Sequence, residues 1–115
     1  YFMTTTIDPT GLFPRDRKNI EFILQDCNTI KEFDTDLIVL DIDPHDGVQE
    51  KRFYTLLQEK DYKGLLFIDD IHLNKEMTLF WESIHHTKYD LTAYGHSTGS
   101  GLVLFSDTRF KIIVH

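Results

Sequence analysis

Cysteine is almost missing from this chain. Cys27 is the only one in 115 residues, so no disulfide can close within it, and a reducing, cytoplasmic compartment is expected. Beside an apolar strand, a lone cysteine reads as a small buried filler. Basic clusters are missing too. Lys and Arg total 12 against 19 Asp and Glu, a formal net charge of −7. Phosphate backbones call for clustered Lys and Arg, so no nucleic-acid partner is expected. Long apolar runs are absent; stretches such as Gly64 to Ile68 are far too short to span a bilayer, so no membrane partner is expected either. The opening YFMTTT lacks the basic flank and apolar stretch of a secretory signal. There are no repeats, low-complexity tracts or linkers, and no G-x-G-x-x-G among the six glycines.

What is present is an alternation of short apolar strands and amphipathic helices. Hydrophobic residues make up 41% of the chain, enough for a core. Tyr1 to Ile7 reads as a strand, and Asp8 to Arg17, with Pro9, Gly11 and Pro14, as a loop. Asn19 to Leu24 and Asp36 to Leu40 read as strands, the latter apolar on both faces. Gln49 to Glu59 reads as a helix, with Phe53, Leu56 and Leu57 at i, i+3, i+4. Gly64 to Ile68 is a further apolar strand. Asn74 to His85 is a second helix, with Met77, Phe80, Trp81 and Ile84 on one stripe. Tyr89 to Tyr94, Leu102 to Phe105 and Phe110 to Val114 complete the strands. Apolar strands separated by amphipathic helices predict an α/β fold, a mostly parallel sheet with flanking helices and an antiparallel hairpin at one edge.

In such sheets ligands bind beyond the carboxyl ends of the strands. Four consecutive strands here end in acids: Asp8; then Gln25 and Asp26; then Asp41 and Asp43; then Asp69 and Asp70. One acid at a strand end needs no ligand, because turns favour Asp. Four in succession point to a site. Acids so placed can hold ribose hydroxyls, bind a hard divalent cation, or act as base or nucleophile. Asp41, Asp69 and Asp70 offer oxygens to a cation such as Mg²⁺. His45 and His72 stand near these exits, although His45, in a turn, reads first as an exposed surface histidine. His85 and His86 lie at a helix end, where a cation suits the dipole, and read as structural.

In order, TTTID, ILQDC, LIVLDIDPHDG, KGLLFIDDIH and TGSGLVLF resemble the second half of a class I S-adenosylmethionine-dependent methyltransferase, a Rossmann-like fold, over about Tyr1 to Phe105. The resemblance implies that Asp8 holds the cofactor ribose, that Asp26 sits near the adenine, and that Asp41 also faces S-adenosylmethionine. Metal-dependent small-molecule and sugar O-methyltransferases are the most similar members. By that resemblance Asp41, Asp69 and Asp70 are ligands of Mg²⁺ or a similar divalent cation. His45 is the base, working with Asp41 in catalysis on a small-molecule hydroxyl, such as that of a sugar. The missing glycine-rich turn implies a single domain over residues 1–115 that lacks the family's first strand.

Three other readings stay open. Asp41-Ile42-Asp43 is a D-x-D that could serve a metal-dependent glycosyltransferase. A receiver domain would use Asp41 as phospho-acceptor, but its acid pair precedes that strand, whereas Asp69 and Asp70 follow it. A methyltransferase-like module without the glycine loop could bind a partner and catalyse nothing.

Overall fold

A computed structural model of the chain describes residues 2–4, 22–24, 33–106 and 112–113. Strands β1 (Phe2–Thr4) and β2 (Phe22–Leu24) pair in parallel, with Phe2 opposite Phe22. β3 (Leu37–Leu40), α1 (Val48–Glu59), β4 (Leu65–Asp69), α2 (Lys75–Ser83), β5 (Thr87–Asp90) and β6 (Ser100–Leu104) follow in chain order. The last four strands form one mixed sheet in the order β3-β4-β6-β5. β3 and β4 are parallel, and β6 runs antiparallel to both β4 and β5. β1 lies beside β3. The architecture is α/β, and the four-stranded sheet contains one parallel pair rather than a mostly parallel set.

The helices form where the apolar stripes are. α1 buries Glu50, Phe53, Tyr54 and Leu57, one face at helical spacing. α2 starts at Asn74, whose side-chain oxygen accepts from the Met77 amide at 2.8 Å, and buries Met77, Phe80 and Trp81. It stops after Ser83, because Ile84 turns extended and the Lys88 ammonium donates to the Trp81 carbonyl at 2.6 Å. His85 and His86 therefore lie beyond the helix. They stack on each other at 4.8 Å, and His86 Nδ1 hydrogen-bonds the Tyr54 hydroxyl.

Both helices feed one core with Ile38, Leu40, Leu66, Ile68 and Val103. Full burial of each such side chain is worth about 1.5–3 kcal/mol. The other sheet face is only half covered: Val39, Leu65, Phe67 and Leu102 are intermediate in exposure. The strands expected to be buried on both faces thus bury one face fully. Gly101, opposite Ile68, lets α2 approach closely, since a Cβ there would lie 2.5 Å from the Trp81 ring. Among the described residues no helix is long and apolar enough to cross a membrane.

The late strands differ from expectation: β6 spans Ser100–Leu104 where Leu102 to Phe105 is expected. The strand expected over Tyr89 to Tyr94 runs instead from Thr87 to Asp90, and Thr92–Tyr94 form a 3₁₀ turn. The Asp90 carboxylate accepts from the Thr92 amide at 2.9 Å, a local turn that competes with the ladder and ends it. Of the strand expected over Phe110 to Val114, only Ile112 and Ile113 are described, and neither is in a strand.

Glu50 breaks the pattern of the core. It is 1% exposed, and neither carboxylate oxygen makes a hydrogen bond of ordinary geometry. Burial raises its pKa above 4.5, although its own amide and that of Gly47 favour the charged form. The folded state therefore holds the proton more tightly than the unfolded chain. The stabilising contribution of that protonation is complete below 4.5 and is lost as pH rises through the folded-state pKa. Glu50→Met is expected to raise stability at pH 8 by about 1–3 kcal/mol, the usual cost of an unsatisfied buried polar group. The gain should shrink towards pH 4. Urea unfolding at the two pH values measures this, and an equal effect at both would contradict it.

Candidate metal centre

The site is built by three chain reversals at one end of the sheet. The first follows β3. Ile42, 2% exposed, anchors the chain one residue past Asp41. His45 then donates its amide to the Ile42 carbonyl at 2.9 Å and adopts a left-handed backbone with φ +58°. Asn74, the cap of α2, donates its side-chain amide to the His45 carbonyl at 2.9 Å. Held from both sides, His45 points back over the strand ends. Its Nε2 lies 3.1 Å from Asp41 Oδ1 and 3.3 Å from Asp70 Oδ2, and its Nδ1 lies 3.4 Å from Asp43 Oδ1. His45 is buried, not the exposed surface histidine that its turn suggests. The reason is the grip of Asn74, which is remote in sequence.

The second reversal follows β4. Register matters here: Leu40 pairs with Ile68, so Asp41 and Asp69 leave adjacent strands at the same level. Asp70 takes a left-handed backbone with φ +57°. For a residue with a side chain this conformation is uncommon and costs energy. The third reversal is the β5–β6 connection, which brings His96 and Thr98 over the acid pair. His96 Nε2 lies 3.0 Å from Asp69 Oδ1, and its Nδ1 lies 3.9 Å from Asp70 Oδ1. The Thr98 hydroxyl donates to Asp70 Oδ1 at 2.6 Å.

A latch holds this third loop down. The His72 amide donates to the Thr98 carbonyl at 2.8 Å, and His72 Nε2 meets Asp90 Oδ2 at 2.7 Å. His72 thus faces Asp90 rather than the strand-exit acids. Gly99, at φ +85°, sits inside the latch; a Cβ there would fall 2.8 Å from both His72 and the Thr92 hydroxyl. Only glycine satisfies the conformation and the space together.

The electrostatics are strained towards excess negative charge. Burial first, and then the charges of Asp69 and Asp70, push the Asp41 carboxyl above its usual range, while His45 pulls it back in part. Two groups of donor atoms lie close enough to hold an ion: Asp41, His45 and Asp70, and Asp69, Asp70 and His96. A divalent ion bound at about 2.1 Å in octahedral geometry has adjacent ligands about 3 Å apart. The 3.0–3.3 Å separations of His96 from Asp69 and of His45 from Asp41 and Asp70 have that spacing. The same separations are hydrogen bonds or ion pairs within the cluster, so it is the donor set of each group, two carboxylates and one imidazole, that suits a divalent cation; Asp41 and Asp69 fall in different groups. Asp43 belongs to neither group and is largely exposed.

The structure brings together Asp41, Asp69, Asp70 and His45. Asp8 and Asp26, expected at the cofactor, lie outside the described residues. The sequence gives no ligand role to His96, which lies 27 residues beyond Asp69 in the connection between β5 and β6. A groove of about 680 Å³ between α1 and α2, lined by Val48, Arg52, Leu56, Leu79 and Phe80, includes none of the five converging Asp and His residues. No family model, no curated protein and no solved structure matches the chain.

Asp90 reports on the latch. Burial alone would raise its pKa, but the Thr92 hydroxyl, His72 and the Thr92 amide outweigh burial and lower it to about 2. Its contribution to stability is complete above 3.8 and is lost as pH falls towards 2. Asp90→Asn is expected to lower stability at pH 7 by about 1 kcal/mol, one net hydrogen bond. It should also flatten the loss of stability between pH 4 and pH 2. Denaturant unfolding across that range measures both, and parallel curves for the two proteins would contradict the latch.

Proposed function

We propose that the chain is the S-adenosylmethionine-dependent, metal-assisted part of an O-methyltransferase with a Rossmann-like fold, acting on a hydroxyl of a small molecule such as a sugar. The observation that carries this reading is that Asp41 and Asp69 leave two adjacent parallel strands at one level, with Asp70 shared between a donor group with Asp41 and His45 and another with Asp69 and His96. Strand order supports it. The last described strand, β6, is antiparallel to β4 and β5, in keeping with the resemblance of TGSGLVLF to the hairpin into the family's antiparallel last strand.

In this reading Asp8 and Asp26 hold the ribose and adenine of the cofactor, and Asp41 faces both cofactor and cation. Asp41, Asp69 and Asp70 hold Mg²⁺ or a similar divalent ion, which when bound polarises the acceptor hydroxyl as a Lewis acid. His45 would take the hydroxyl proton, and the carboxylates of Asp41 and Asp70 beside its ring would stabilise the imidazolium. Asn74 fixes the backbone from which His45 projects, so the base is held in place before substrate arrives. The cofactor supplies the methyl group. The partner is a small molecule, in a cytoplasmic setting without nucleic acid or membrane. The D-x-D reading draws less support, because Asp43 is apart from the group that Asp41 joins.

A thermal-shift titration with S-adenosylhomocysteine, with and without Mg²⁺, tests the reading. A ligand that binds only the folded state at about 100 times its Kd stabilises by about 2.7 kcal/mol. A rise in Tm of several degrees is expected, lost in Asp8→Ala, with the metal-dependent part lost in Asp69→Ala. No rise with either ligand would sink the proposal and leave the non-catalytic binding module ahead.

A further inference from the structure

We infer that His96 is a nitrogen ligand of the strand-exit cation, and that the site therefore takes a borderline divalent metal of the Mn²⁺, Fe²⁺, Co²⁺ or Zn²⁺ class in preference to Mg²⁺. This rests on the cation site proposed above and changes its donor set and its metal. Mg²⁺ is bound by oxygens, whereas imidazole suits the later first-row divalent ions. Three observations carry the inference.

The first is the sorting of donors around Asp70. Its Oδ2 faces His45, while its Oδ1 receives the Thr98 hydroxyl and faces His96. The carboxylate thus divides two imidazoles between its two sides. On the His96 side, Asp69 Oδ1 and His96 Nε2 are 3.0 Å apart, a hydrogen bond whose length equals the about 3 Å between adjacent ligands of one octahedral ion. On the other side His45 is enclosed, with a side chain only 9% exposed, and it serves as base. His96 is half exposed, which leaves that side open for an ion to enter.

The second is the lack of any other cation. Among the described residues no lysine or arginine makes an ion pair with Asp41, Asp43, Asp69 or Asp70; the single such pair joins Lys63 to Asp61. Neutral imidazoles leave these carboxylates uncompensated, and a bound divalent ion would offset two of their charges.

The third is the support behind His96. Thr98 contacts its Nδ1 and donates to Asp70, and the His72–Asp90 latch and Gly99 hold the loop in place. Ligands held in this way by outer partners are typical of metal sites.

Mn²⁺ binding followed by titration calorimetry and by pulsed electron paramagnetic resonance tests the inference on the whole chain. Mn²⁺ is expected to bind at least about tenfold more tightly than Mg²⁺, and the bound ion should show nitrogen modulation of its echo decay. His96→Gln should remove the modulation and lower Mn²⁺ affinity about tenfold, the low end of what disturbing a site costs. His45→Gln should keep the modulation. Circular dichroism melts of both variants separate loss of metal from loss of fold. Modulation that survives in His96→Gln, or equal affinity for the two metals, would overturn the inference and leave the cation reading intact. No binding of either metal would overturn both.

Discussion

The parallel pairing of β3 with β4, with Leu40 opposite Ile68, is the constraint on which the rest depends. It sets two strand exits side by side at one level, and each exit begins with an aspartate. A slip of one residue would turn the apolar side chains of either strand to the wrong face, so burial of Ile38, Leu40, Leu66 and Ile68 fixes the register. The hydrophobic core thereby fixes the spacing of the acids. Folding energy drawn from one end of the strands holds like charges together at the other.

That arrangement has a cost, and the surrounding structure shows where it is met. Asp41 is pushed towards its protonated form by burial and by its acidic neighbours. Asp70 and His45 both adopt left-handed backbones that side chains disfavour. Such strain persists only where surrounding contacts over-determine it. Here the contacts are Asn74 on the His45 carbonyl, Thr98 on Asp70, and the latch of His72 with Asp90. Repulsion and backbone strain thus gather where β3 and β4 end, held there by contacts from three other segments of the chain.

Much of this was legible in the sequence, and the limits have physical causes. Apolar runs ending in acids identified β3 and β4 and the edge at which Asp41, Asp69 and Asp70 meet, because strand periodicity and strand exit are local properties. The helical stripes of α1 and α2 were legible for the same reason. His96 was not, because its approach to Asp69 spans 27 residues and depends on how β6 returns along β4. The burial of His45 was not legible either, since it is set by Asn74, 29 residues away. The early end of β5 follows from one side-chain bond of Asp90, a turn signal that the aromatic run TKYDLTAY conceals. The balance of parallel and antiparallel pairing could not be counted from strand composition alone.

The most direct measurement is an anomalous difference map from crystals of the chain grown or soaked with Mn²⁺. One strong peak is expected within bonding distance of the Asp69 and Asp70 carboxylates and His96 Nε2. A map with no peak at the β3 and β4 exits, at Mn²⁺ concentrations that fill other acidic sites, would contradict the view that these strand ends were built around a cation.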